Sequence, residues 1–210
     1  MSRRRFVQTA VAAAGLGLLP AGAFALQYTP RPSPEKWAIL YGSRYGSARD
    51  AAVWIAEGLG GIAHVFDAKE KPDAAGFDHW IIGGGIYYGG VDQALTEWIA
   101  AHRETLASRT RAVFVVAGSA GTPGAEEYVA HLAEACGSTP RWKVAFPGRV
   151  TRRLLSPADD QTLEGFYRST HQPYEDYDRL TRKMAFEFGD LIHRESTTAV
   201  AAPPPTSAHP

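Results

Sequence analysis

Three glycine-rich segments carry the residue types that suit a flat, phosphate-bearing ligand. The first reads Tyr41-Gly42-Ser43-Arg44-Tyr45-Gly46-Ser47-Ala48. Glycine permits a tight backbone there, the Ser43 and Ser47 hydroxyls suit phosphate oxygens, and a helix starting at its end aims N–H groups at an anion. The segment has neither a Walker lysine nor the G-x-G-x-x-G spacing of dinucleotide folds. Alone it is ordinary, because many strand-to-helix loops are rich in Gly and Ser. The second segment, Gly83-Gly84-Gly85-Ile86-Tyr87-Tyr88-Gly89-Gly90, sets glycines that allow close backbone approach beside two tyrosines with faces for stacking. The third is Gly118-Ser119-Ala120-Gly121. The joint occurrence of the three carries the argument.

For these segments to act together, regular elements must bring them to one edge. Trp37 to Tyr41 reads as a buried strand, followed by a helix with Ala48, Ala51, Ala52, Ile55 and Leu59 on one face, then a short strand near Ile62 to Phe66. Trp80 to Ile82 leads a third strand. A helix over Ala94 to Ala101 turns Leu95, Trp98 and Ile99 inward, and Ala112 to Ala117 is a fourth strand. The helix through Tyr128 to Cys136 precedes a fifth strand near Lys143 to Phe146, and a last helix is expected to carry Tyr177, Leu180, Met184, Phe188 and Leu191 on one stripe. Strands fed alternately by helices run parallel with right-handed crossovers, which predicts an α/β fold with a three-layer, doubly wound, five-stranded parallel sheet. In such a sheet the loops leaving the carboxyl ends of the strands share one edge, and a ligand sits where the strand order reverses.

Composition narrows the function classes. The chain has 210 residues, 22 basic and 22 acidic, with 45% hydrophobic residues, enough to bury one sizeable core. That balance gives no support to a nucleic-acid partner, which calls for a markedly basic domain. Cys136 is the only cysteine, so neither an intrachain disulfide nor a multi-cysteine metal site is available. Its helical spacing with Ala125, Val129 and Leu132 reads as a buried small residue rather than a reactive thiol. The histidines show no metal-ligand spacing.

The N-terminus speaks to location. Arg3-Arg4-Arg5-Phe6-Val7 precedes an uncharged Ala/Gly/Leu run from Ala10 to Leu19 and a small-residue Ala23-Phe24-Ala25 site, and no acidic residue occurs before Glu35. This resembles a twin-arginine signal peptide over residues 1–25. The resemblance implies export to the periplasm, the twin-arginine translocase as a transient partner, and a protein that folds around a cofactor before it crosses the membrane. An anchor formed by an uncleaved leader is the alternative. Loss of Arg3, Arg4 and Arg5 leaves a mature chain with three more acids than bases. Residues 26–35 read as a proline-containing linker, 36–194 as one domain, and 195–210 as a Ser/Thr/Ala/Pro tail without the apolar content to order itself.

Between the fifth strand and the last helix, Pro147 to Pro173 form a connection longer than a compact domain needs, and it leaves the sheet on the edge of the glycine-rich loops. Arg149, Arg152, Arg153, Phe166, Tyr167, His171 and Tyr174 suit an anionic aromatic substrate, a quinone headgroup or a peripheral membrane contact. Asp159, Asp160 and Glu164 dilute that basic patch, and a solvated surface loop is the plainer reading.

From Trp37 to His193 the chain resembles a flavodoxin-fold FMN protein, which implies strand order 2-1-3-4-5. Its Gly42–Asp50 and Ile82–Gly89 segments are similar to the flavodoxin-type protoporphyrinogen oxidase branch, which passes electrons to quinones. The resemblance implies that Ser43, Arg44, Tyr45, Gly46, Ser47 and Ala48 surround the FMN phosphate. It further implies that Gly84, Gly85, Ile86, Tyr87, Tyr88 and Gly89 border the isoalloxazine, and that Gly118, Ser119, Ala120 and Gly121 close its other side. Ala48 departs from the family, which usually has a second Thr or Ser hydroxyl there. The expected activity is an FMN-dependent oxidoreductase acting on a quinone or porphyrinogen-like substrate. A soluble periplasmic electron carrier and a flavin-free interaction domain are the competing readings.

Overall fold

The five apolar runs form five parallel strands: β1 (Trp37–Gly42), β2 (Ala63–Asp67), β3 (His79–Gly85), β4 (Thr110–Ala117) and β5 (Trp142–Pro147). They are hydrogen-bonded in the order β2-β1-β3-β4-β5, as expected, with Ile39 beside both Val65 and Ile81. The computed structural model describes residues 30–201, so the expected signal peptide and the start of the expected linker lie outside the described residues. Helices α1 (Ser47–Gly58), α2 (Gln93–Ala101), α3 (Arg103–Arg109), α4 (Pro123–Ala135) and α6 (Arg182–Ala201) cover the sheet, and α5 (Pro157–Ser169) stands apart from it.

Alternating side chains feed two cores, one on each face of the sheet. Ile39, Ile81, Phe114 and Val116 pack with Ala51, Ile55, Ala185 and Ile192 under α1 and α6. Leu40, Ile82, Val113 and Val115 pack with Leu95, Trp98, Leu106 and Leu132 under α2, α3 and α4. Because both faces are covered, the central strands are apolar at nearly every position rather than at alternate ones.

The last helix is shorter at its start and rotated relative to the expectation. Tyr177 and Leu180 precede it, Met184 and Leu191 are exposed, and its buried face is Ala185, Gly189 and Ile192 with Phe188 half buried. The cause is a backbone-to-backbone contact with α1. A Cβ on Gly189 would lie 2.2 Å from the Ile55 carbonyl oxygen, and one on Gly58 would lie 2.1 Å from that of Phe186. Small residues permit this approach and set the rotation, so the larger apolar side chains are not the ones that face inward.

The helix also runs to Ala201, past residue 195 where the tail was expected to start. Glu195 anchors that turn, bonded to the Arg141 guanidinium and at 3.1 Å to the Trp142 indole N–H. A second correction concerns the long connection, which is an ordered excursion and not an irregular loop. A short antiparallel pair, β6 (Arg149–Val150) with β7 (Tyr177–Asp178), ties its two ends together, and α5 lies between. Ser156 caps α5 by accepting from the Asp159 N–H, and Pro157 occupies its first turn. That start signal was present in the sequence, and Leu163, Phe166 and Tyr167 follow it at helical spacing, although α5 buries no side chain fully.

Candidate functional site

The loops after β1, β3 and β4 meet at the carboxyl edge of the sheet, as the strand order requires. After β1 the chain turns through Gly46, whose φ of 88° is a left-handed conformation that glycine adopts without strain. Ser43 accepts a hydrogen bond from the Gly46 N–H at 3.0 Å, which closes the turn, and α1 begins at Ser47 with no side chain capping it. The first amides of α1 therefore have no intrahelical partner and form an anion cradle. Ser47 is buried there, at the first position of α1. Ala48 is fully buried among the core residues below α1. It offers the cradle only its backbone N–H, and the missing hydroxyl is worth about 1 kcal/mol.

Side-chain charge around the cradle is internally compensated. Arg44 lies 3.9 Å from Asp92 and 3.7 Å from Asp159, while its guanidinium covers the Tyr87 ring at 4.8 Å and the Tyr88 ring at 5.7 Å. Arg149 binds Asp50 at 2.8 Å and approaches Asp178 at 3.6 Å. An anion held here would rely on amide and hydroxyl donors more than on a spare cation.

The second glycine-rich segment divides into a buried part at the end of β3 and an exposed part beyond it. Gly83 and Gly84 are buried within the sheet, where a Cβ on Gly83 would lie 2.3 Å from the Phe114 ring. Those two glycines serve packing. At the mouth, Tyr87 and Gly90 exchange backbone hydrogen bonds around Tyr88 and Gly89, both at positive φ (52° and 85°), the geometry of a tight hairpin turn. Tyr88 stands 65% exposed at its tip, and its left-handed backbone is strained for a tyrosine. Tyr87 folds back over Gly85, its hydroxyl accepting from the Arg44 N–H at 2.9 Å. Ile86 is half buried and packs on the opposite core with Val91.

The loop after β4 runs through Gly118, Ser119, Ala120 and Gly121 (φ 86°), with Gly118, Ser119 and Gly121 exposed. The excursion meets it through Tyr177, whose hydroxyl would lie 3.0 Å from a Cβ on Gly118. Burial raises the Tyr177 phenol well above its ordinary range, so it stays protonated.

Of the residues singled out in the excursion, Arg149 is committed to Asp50, and Arg152 bonds Asp160 at 3.2 Å while covering the Tyr174 ring at 4.2 Å. Tyr167 donates to the Tyr177 hydroxyl at 3.3 Å and stacks on Tyr174. Arg153 is exposed, and His171 is exposed at the end of α5 with φ 55°. The structure thus does not gather the arginines into one receptor. Sequence reasoning passed over Asp159, read only as diluting charge. Its carboxylate accepts from the hydroxyls of both Tyr45 and Tyr88, joining α5 to two of the three loops. These hydrogen bonds, that of Tyr45 first, hold the carboxyl below the usual carboxylate range.

Cys136 is buried, and burial pushes its thiol up to about 12, which leaves no thiolate for chemistry. Among the described residues, no group of three His, Cys, Asp or Glu side chains is placed to hold a metal, and no helix is long and apolar enough to cross a membrane.

The flavodoxin domain family matches residues 38–176. No curated protein matches the chain. Among solved structures, the fold is similar to rubredoxin oxygen:oxidoreductase from the anaerobe Desulfovibrio gigas, with TM-score 0.53 and 13% identity over 83% of this chain. This chain spans only 38% of that protein's length. It is also similar to a short-chain flavodoxin associated with a non-canonical PDU bacterial microcompartment, with TM-score 0.51, 13% identity, and coverage of 80% of this chain and 99% of that one. At such identities the structural likeness speaks to fold alone.

Proposed function

The chain belongs to the flavodoxin domain family, and from that premise we propose that it is an exported FMN-binding oxidoreductase that exchanges two electrons with a quinone or porphyrinogen-like substrate. One observation carries the cofactor assignment. The uncapped start of α1, the buried Ser47 and the left-handed turn at Gly46 form an anion cradle on the same sheet edge as the Tyr87–Gly90 turn and the Gly118–Gly121 loop. The residues present fit the group: amides of α1 and the Ser47 hydroxyl for the phosphate, and the two tyrosines and the small-residue loop for the ring. When bound, FMN supplies the redox chemistry.

The chain's own part is to bind, orient and shield. The α1 amides take the phosphate charge, Arg44 braces the Tyr87 and Tyr88 rings through cation–π contact, and the excursion covers the edge beside Gly118 through Tyr177. Tyr88 is exposed at that edge, and Leu154 and Phe166 are exposed on the excursion, which favours a quinone-like partner or a membrane face over a highly charged one. Assignment to the quinone-linked protoporphyrinogen oxidase branch rests on the Gly42–Asp50 and Ile82–Gly89 segments. Porphyrin chemistry is ordinarily cytoplasmic, so for an exported protein the quinone is the sharper assignment.

An absorption spectrum of the purified protein supplied with flavin tests the cofactor. Bands near ~450 nm with FMN released on denaturation are expected; a colourless protein that takes up no FMN would overturn the reading. Turnover with quinones by the loaded protein then separates an oxidase from a one-electron carrier, which would show none. Export rests on the leader: Arg4→Lys with Arg5→Lys is expected to leave the protein in the cytoplasm on cell fractionation. Periplasmic recovery of that variant would remove the twin-arginine route.

A further inference from the structure

Two adjacent carboxylates at the start of α5 do different work. Asp160 serves its own excursion, accepting from Arg152 at 3.2 Å and from the Tyr174 hydroxyl at 2.6 Å. Asp159 reaches across to the sheet loops. Its carboxylate meets the Tyr45 hydroxyl from the β1 loop, the Tyr88 hydroxyl from the β3 loop and the Arg44 guanidinium at 3.7 Å. Ser156, in the turn just before α5, adds a crossing contact, its N–H donating to the Tyr45 hydroxyl at 3.1 Å.

These polar contacts carry a large share of the attachment, because α5 buries no side chain fully and only Leu163 and Tyr167 of its apolar residues are half buried. A helix with so small an apolar anchor opens at low cost, and the polar groups that hold it weigh on how often it does. The carboxylate engages the outer side-chain donors and makes no contact with Gly46, Ser47 or Ala48. It therefore ties α5 to the two loops beside the anion cradle without bonding to the cradle's own residues.

We propose that Asp159 is a latch that holds α5 beside the cradle and sets how long bound FMN remains in the protein. The inference rests on the FMN reading above and adds a positioning residue to it. A protein that carries a non-covalent cofactor away from the compartment of its synthesis depends on slow release, and a latch on the cradle's rim supplies it.

The test uses the full chain loaded with FMN. Release is followed by the rising fluorescence of freed FMN after dilution, in wild type, Asp159→Ala, Asp159→Asn and Tyr45→Phe. About tenfold faster release is expected from Asp159→Ala, the size of effect that loss of charge-assisted hydrogen bonds produces, with smaller accelerations in the other two. Amide hydrogen exchange without added flavin is the second readout: residues 157–169 are expected to exchange faster in Asp159→Ala while β1, β3 and β4 are unchanged. Normal FMN uptake with unaltered or slower release overturns the latch alone, as does unchanged exchange across 157–169. Failure of the wild type to take up FMN overturns the cofactor reading first, and the proposed role in retention with it.

Discussion

Gly189→Ala is expected to lower the melting temperature by about 4–8 °C. In an isolated helix the change would stabilise, since alanine is favoured over glycine by about 1 kcal/mol in a helix interior. Here the added methyl would sit 2.2 Å from the Ile55 carbonyl oxygen and 2.9 Å from the Leu59 nitrogen. Both are backbone atoms, so no side-chain rotation relieves the overlap and α6 must move off α1. Overpacking of this kind costs about 3 kcal/mol, which outweighs the propensity gain, and each kcal/mol shifts the midpoint of a domain this size by about 2–4 °C. Gly58→Ala meets the Phe186 carbonyl oxygen at 2.1 Å and is expected to act the same way. Thermal unfolding followed by circular dichroism reads both; an unchanged or raised midpoint would show that the two helices do not meet backbone to backbone.

Ser47→Asp is expected to weaken FMN binding at least a hundredfold while leaving the fold as stable or slightly more so. A carboxylate in the first turn of a helix is favourable by about 0.3–1 kcal/mol, and here it would satisfy α1 amides that no side chain caps. The same carboxylate would then hold the donors that the phosphate requires. Two unit charges about 5 Å apart repel by about 3 kcal/mol at an effective dielectric near 20, which is roughly two decades in affinity. Flavin titration alongside a melting curve separates this from simple unfolding. Undiminished FMN binding in a well-folded Ser47→Asp protein would place the phosphate elsewhere.

The two variants probe parts of the molecule that differ in how far the sequence exposes them. The Gly42–Ala48 turn and the two later glycine-rich loops were legible, since their composition is local and the strand order brings them together once the parallel sheet is granted. What each residue does within them was less so. Gly83 and Gly84 share the composition of a ligand-facing loop, yet they are buried, with Phe114 filling the space at Gly83 and Leu95 crowding that at Gly84. Ala48 sits in the cradle segment, yet its side chain belongs to the core. Glycine and alanine suit close ligand approach and close packing equally well, and only the neighbours distinguish the two.

The excursion shows the opposite case. Its arginines and aromatics suggested a receptor beside the plainer reading of a solvated surface loop, and the structure pairs Arg149 with Asp50 and Arg152 with Asp160. The partner of Arg149 lies 99 residues away, that of Tyr45 114 residues away. Pairings at such separation leave no periodic trace.

What the sequence determined by itself was the five-stranded doubly wound sheet, the loops that share its carboxyl edge and the burial of Cys136. Each follows from hydrophobic periodicity and from glycine and serine punctuation, which act within a few residues of chain. The tertiary structure alone decided the rotation of α6, through contact of its backbone with that of α1, and the course of the excursion, through Asp159 and the paired ends at β6 and β7. These depend on which surfaces meet after the chain has folded, and short-range steric fit and hydrogen bonding between distant segments have no counterpart in local sequence.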